Sequence, residues 1–139
     1  SGSQTALDYR PLFSEPQRLY CGRGHALFTR ARIDPAELQQ YDGVLHPYRF
    51  IAADEPWQAG TGSARSEQVE GSLAFILSGA HIGYLPEHIA APWEARGHLR
   101  ALLPEELGFA VEFRLARHRA RQPSEAQRAL EEDLLAAFA

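Results

Sequence analysis

Apolar positions along the chain follow two rhythms. Leu19 and Cys21 alternate with Arg18 and Tyr20, while Phe109, Val111, Phe113 and Leu115 alternate with Glu112, Arg114 and His118. A period of two sends successive side chains to opposite faces, so both runs read as strands, and the second is the clearest strand signal in the chain. Elsewhere the spacing is helical. Val69, Leu73, Ile76 and Leu77 make one stripe on a helix predicted from about Glu67 to Ser78, capped by Ser66 or Ser63 and closed by Gly79. A second face of that helix carries Gly71, Ser72, Phe75 and Ser78, small enough around Phe75 for another backbone to come close. Leu130, Leu134 and Phe138 fall on one side of a last helix that opens on the capping box Ser124 to Gln127.

Turn and cap residues place the remaining elements. Residues 7–22 read as two extended pieces parted by Ser14, Glu15 and Pro16, and Gly22 and Gly24 then release the chain into a loop. Asp34, Pro35 and Glu37 form a capping box with proline at the first helical position, predicting a short helix that ends near Tyr41. A brief strand from Val44 is stopped by Pro47, and residues 52–65 read as a loop. Between Gly79 and Pro86 there is room only for a short strand around Ile82 and Tyr84, where Gly83 is expected to admit a close backbone neighbour. Pro86 starts a helix with Ile89 and Trp93 on one side, Pro92 should break or kink it, and Gly97 ends it. Leu99 and Leu103 are expected on one face of a further strand. Strands and helices thus alternate, which favours an α/β sheet.

Length and composition narrow the class. The 139 residues fit one domain, with 45% hydrophobic and 23% charged residues. A net charge of -4 argues against a phosphate-binding surface over the whole chain. All 14 basic residues are Arg, and Met is absent. The chain is read as a piece of a longer protein, with Ser1, Gly2 and Ser3 as a cloning remnant. A single cysteine, Cys21, allows no internal disulfide, and no apolar run has membrane-span length, so a cytoplasmic protein is expected.

The residues point away from catalysis. His81 and His88 are spaced seven apart rather than four, so no metal site is expected. The run from Gly60 to Ser66 is neither a nucleophile elbow nor a phosphate loop, and it reads as a loop plus a helix cap. Cys21 shares the apolar phase with Leu19 and reads as a small buried hydrophobe. The basic run from Arg114 to Gln122 lacks interleaved aromatics and reads as a solvated strand edge. The tightest polar constellation is His46, Pro47, Tyr48 and Arg49, at the end of a strand where α/β sheets bind ligands. Arg49 could pair a carboxylate in bidentate fashion beside the flat wall of Tyr48. A surface turn is the other reading of those four residues. No cofactor is expected.

In combination, the stretches Pro11 to Leu27, Ser78 to Ala90 and Ala95 to Pro104 resemble the C-terminal effector-binding domain of LysR-type transcriptional regulators. That family has a segment ending in His-Pro-Leu, here His25, Ala26 and Leu27, and a Gly-x-Gly-Ile-x-x-Leu-Pro junction. Gly79, Ile82, Leu85 and Pro86 match the junction, while His81 replaces its second glycine. The resemblance covers nearly the whole chain from Leu7.

It implies an α/β, periplasmic-binding-protein-like type 2 fold, mainly one lobe with the returning strand and C-terminal helix of the other. Residues 1–17 would be the cloning remnant and the end of lobe one leading to the first crossing strand. Residues 18–108 would be lobe two, and residues 109–139 the returning strand and last helix of lobe one, with the N-terminal helix-turn-helix absent. The implied function is effector sensing, not catalysis, with a small molecule bound between two lobes. His46, Pro47, Tyr48 and Arg49 would contact it, and Gly71, Ser72, Phe75 and Ser78 would meet a neighbouring subunit. DNA would be met only through the missing N-terminal domain, and no membrane partner is expected. The alternative is a fragment of a solute-binding protein of the same fold used in transport. Loss of lobe one predicts exposed apolar surface on the strand from Phe109 to Leu115 and on the last helix. Self-association as a dimer is expected from that surface, and a tetramer for the full-length protein.

Overall fold

The computed structural model describes residues 7–45, 56–60, 64–118 and 125–138. Its strands are β1 (Leu7–Gly22), β2 (Val44–Leu45), β3 (Ala64–Arg65), β4 (Gly83–Pro86), β5 (Leu99–Ala101) and β6 (Phe109–His118). Its α-helices are α1 (Val69–Leu77), α2 (Glu87–Ala95), α3 (Pro104–Leu107) and α4 (Glu125–Phe138), and a 3-10 helix spans Pro35–Gln40. The chain divides into two compact units. One comprises residues 16–110; the other combines residues 1–15 with 111–139.

β1 organises the larger unit. It is one continuous strand, not two pieces: Ser14, Glu15 and Pro16 stay extended, and the division between the units falls at Pro16 instead. β4 pairs antiparallel with β1, with Leu19 opposite Tyr84 and Tyr20 opposite Gly83. β5 pairs antiparallel on the other side, with Cys21 opposite Arg100, and β6 also pairs with β1. The strand from Ile82 onward is therefore a rung of a four-stranded sheet. Its shortness is compensated by its neighbours.

Both faces of this sheet are covered. Leu19, Cys21 and Tyr84 join Leu27, Leu38, Trp57, Ile82, Leu102 and Leu107 in one core. Tyr20 points to the other face and packs with Val44, Ile76, Leu85, Ala90 and Leu99. Tyr20 was expected on a polar face, but its ring is fully buried beneath α1 and α2, so alternation distinguishes two cores here rather than inside from outside. Each fully buried Leu or Ile contributes about 1.5–3 kcal/mol.

Local chemistry explains the helix ends. The Asp34 carboxylate accepts the Ala36 N–H at 3.0 Å and Glu37 completes the capping box, as the sequence predicts. α1 starts later than predicted, with Gln68 as N-cap and no side-chain cap. Ser66 bonds locally instead, donating to the Gln68 carbonyl at 2.7 Å and accepting the Gln68 N–H at 3.3 Å. Gly79 turns the chain out of α1 with φ 84°, and Gly97 does the same after α2 with φ 77°. Pro92 lies inside α2 and does not break it. β5 is three residues long, so Leu103 is not on its face. Leu103 adopts a left-handed conformation (φ 44°, ψ 56°) at the start of α3. Gly83 was expected to admit a backbone neighbour, yet side chains fill the space. A Cβ there would come within 3.1 Å of Ile76 Cδ1 and 3.2 Å of Val44 Cβ.

In the smaller unit, Phe13 stacks on Phe113 (4.7 Å between centroids) and on Phe138 (4.5 Å). β6 is the strand its alternation predicts. Val111 is buried and Phe113 half-buried, so the exposure expected on this strand is not found at either residue. It is found on α4, where Leu130 is 60% and Phe138 47% exposed. Ser124, the predicted cap of this helix, lies outside the described residues.

Candidate functional site

The predicted ligand residues His46, Pro47, Tyr48 and Arg49 lie outside the described residues, and their scaffold is described. They follow β2 directly. β2 pairs parallel with β3, with Val44 opposite Ala64 and Leu45 opposite Arg65. The Val44 N–H donates to the Ile82 carbonyl at 2.8 Å, and the Ala64 N–H to the Gly43 carbonyl at 3.0 Å. β3 was missed in the sequence because two residues carry no readable alternation. The chain between β2 and β3 therefore leaves and returns at adjacent positions. Within it, Trp57 is seated in the core, 4% exposed, with its ring against the Cα of Gly43. The Trp57 backbone N–H donates to the Tyr84 hydroxyl at 3.2 Å, and that hydroxyl donates to the Leu107 carbonyl at 2.8 Å. The sequence pattern placed Tyr84 on a short strand but gave neither it nor Trp57 a part in the site.

The four residues predicted for the subunit interface sit on α1 and its end, in different settings. Ser72 is 3% exposed, buried within this chain. Gly71 is half-buried, and a Cβ there would overlap the Ser66 hydroxyl. Phe75 is 38% exposed and meets the His81 ring edge-on at 5.3 Å. Ser78 is exposed and donates to the Phe75 carbonyl at 2.5 Å.

The titratable groups act as structure. The Cys21 thiol is buried and its pKa is pushed up to about 11 by that burial, with Arg100 pulling it back. A thiol so rarely ionised is a poor nucleophile. His25 is buried; its Nδ1 accepts the Leu27 N–H at 3.0 Å, and burial together with nearby His81 holds its pKa below 6.5. The Arg100 guanidinium reaches the carbonyls of Leu27, Phe28 and Arg30 at 2.7, 3.1 and 2.7 Å, fastening the loop after β1. Among the described residues, no group of three or more His, Cys, Asp or Glu could hold a metal ion, and no helix is long and apolar enough to cross a membrane.

This fold has known counterparts. The chain is 96% covered by a match to the effector domain of the transcriptional regulator AmpR of Pseudomonas aeruginosa, at TM-score 0.64 and 21% identity, spanning 66% of that chain. The regulatory domain of CrgA, a LysR-type regulator of Neisseria meningitidis, matches 97% of the chain at TM-score 0.73 and 16% identity, over 70% of its own length. Full-length LysG of Corynebacterium glutamicum, solved with bound effector arginine, matches 96% of the chain at TM-score 0.67 and 18% identity, over 47% of its length. In sequence, 123 residues are 43% identical to the HTH-type transcriptional activator BauR of Pseudomonas aeruginosa, covering 86% of this chain and 40% of that protein. The chain thus spans about two fifths of its curated relative. The LysR substrate binding domain model matches residues 1–139. The fold is the periplasmic-binding-protein-like type 2 fold of LysR effector domains, and the chain belongs to the LysR substrate-binding domain family.

Proposed function

We propose that the chain is the effector-sensing part of a bacterial LysR-type DNA-binding transcriptional regulator, working in the cytoplasm without catalysis. The observation that carries this reading is the family match over residues 1–139, joined to 43% identity with a transcriptional activator. That relative also favours regulation over transport. In this reading residues 18–108 form lobe two, and residues 109–139 return to lobe one. A small molecule bearing a carboxylate sits between the lobes, paired by Arg49, walled by Tyr48 and bounded by His46 and Pro47. The exposed Phe75 and Ser78, with Gly71 and Ser72 on the same helix, meet a neighbouring subunit. Binding favours one arrangement of lobes and subunits and thereby changes the geometry of a DNA reader carried by the full-length protein.

The test uses the whole reading frame. Binding to the DNA upstream of its own gene is measured across a salt series. Sequence-specific binding that weakens steeply with salt supports a regulator, because neutralised phosphates release counterions. Binding no tighter than to competitor DNA would overturn the reading.

A further inference from the structure

The geometry points to the Tyr84 hydroxyl as a positioning group that ties the chain leaving the proposed effector stretch to the root of β6. Three observations meet at this side chain. It accepts the backbone N–H of Trp57, the buried residue at which the chain downstream of Arg49 joins the core. It donates to the carbonyl of Leu107, the last residue of α3. The Tyr84 ring meets Phe109, the first residue of β6, edge-on at 4.9 Å.

The Leu107 carbonyl shares its peptide group with the Gly108 N–H, which donates to the Pro104 carbonyl at 3.1 Å. That peptide plane is therefore held from both sides, by Tyr84 and by α3. Gly108 suits the position, since a Cβ there would come within 2.5 Å of the Pro104 carbonyl. β6 then carries the chain out of the 16–110 unit. One buried hydroxyl thus uses its donor and its acceptor capacity on two backbone segments far apart in sequence. Removing it leaves both segments short of a partner, so their order is lost together. The regulatory meaning, that a ligand held by the effector stretch also steadies the root of β6, rests on the effector reading above. The link itself does not.

Residue-resolved hydrogen exchange on the ligand-free 139-residue chain tests the link alone, since no effector is added. In Tyr84→Phe, exchange at the Trp57 and Gly108 amides should rise together, by roughly two- to tenfold, because one neutral hydrogen bond is lost at the Trp57 N–H and one at the carbonyl of the Leu107–Gly108 peptide group. Amides of Leu19, Tyr20 and Cys21 should not change. Acceleration at Trp57 alone, or an equal rise throughout β1, would overturn the proposal, the first because the hydroxyl merely seats a loop and the second because the effect is global. Should the variant not fold, the wild-type chain gives the answer under low denaturant. The Trp57 and Gly108 amides should then open in one shared step with a common denaturant dependence. Two separate openings would refute the link.

Discussion

Single residues in this chain are chosen for backbone geometry and for the charge state of buried groups. Gly79 combines φ 84° with a site where a Cβ would lie 3.0 Å from the Gly24 carbonyl carbon. Gly79→Ala should lower unfolding free energy by about 1–3 kcal/mol, measured by urea titration. His25 makes stability depend on pH. The unfolded chain takes up a proton near 6.5 that the folded chain resists, because burial, and then His81, disfavour the imidazolium. The stabilisation is full above that value and is lost as pH falls toward the lower folded pKa. His25→Asn keeps an acceptor for the Leu27 N–H without a titrating ring. It should therefore show a smaller loss of urea midpoint on acidification than the wild type. Tyr20 and Cys21 mark what a residue reading can and cannot see. The apolar phase of Cys21 was legible, and its thiol is buried. Tyr20 looked like the polar partner in the alternation, because a tyrosine carries both a ring to bury and a hydroxyl for water, and only the helices above it decide which dominates.

At the level of elements, caps and long alternations were the legible signals. The capping box at Asp34, the stops at Gly79 and Gly97 and the alternation of β6 all appear as their chemistry dictates. Elements defined by partners rather than by their own residues were not legible. β3 exists because β2 offers it a parallel neighbour, and the continuity of β1 through Pro16 depends on strands paired along it. The candidate site divides the same way. His46 to Arg49 stood out as a polar cluster, whereas Trp57 and Tyr84 became visible only once folding placed them side by side. Pro92 shows packing overriding local preference. Its ring withholds a helical hydrogen bond, yet α2 runs on to Ala95 while Ala90 and Trp93 pack into the core. The Pro92 side chain itself is exposed, so Pro92→Ala should remove the cost without leaving a cavity. A gain of about 1–3 kcal/mol in unfolding free energy is expected, read by denaturant unfolding.

For the whole molecule, the exposed apolar residues of α4 matter most. Leu130 and Phe138 present large side chains to solvent, although Phe138 also stacks on Phe13. Leu130→Glu should therefore reduce self-association in sedimentation velocity, while shifting the unfolding free energy by less than about 0.5 kcal/mol. The paired strands β2 and β3 have a wider consequence. They bring the two ends of the intervening chain to adjacent positions, and Trp57 closes it a second time. Closure is thus provided by the scaffold, and it depends only weakly on how much chain is enclosed. Doubling the length between His46 and Glu55 should cost about 0.6 kcal/mol, which thermal unfolding of an insertion variant can read. On the proposed reading, a stretch closed from outside by its scaffold lets a lineage exchange one chemical signal for another without rebuilding the protein that detects it.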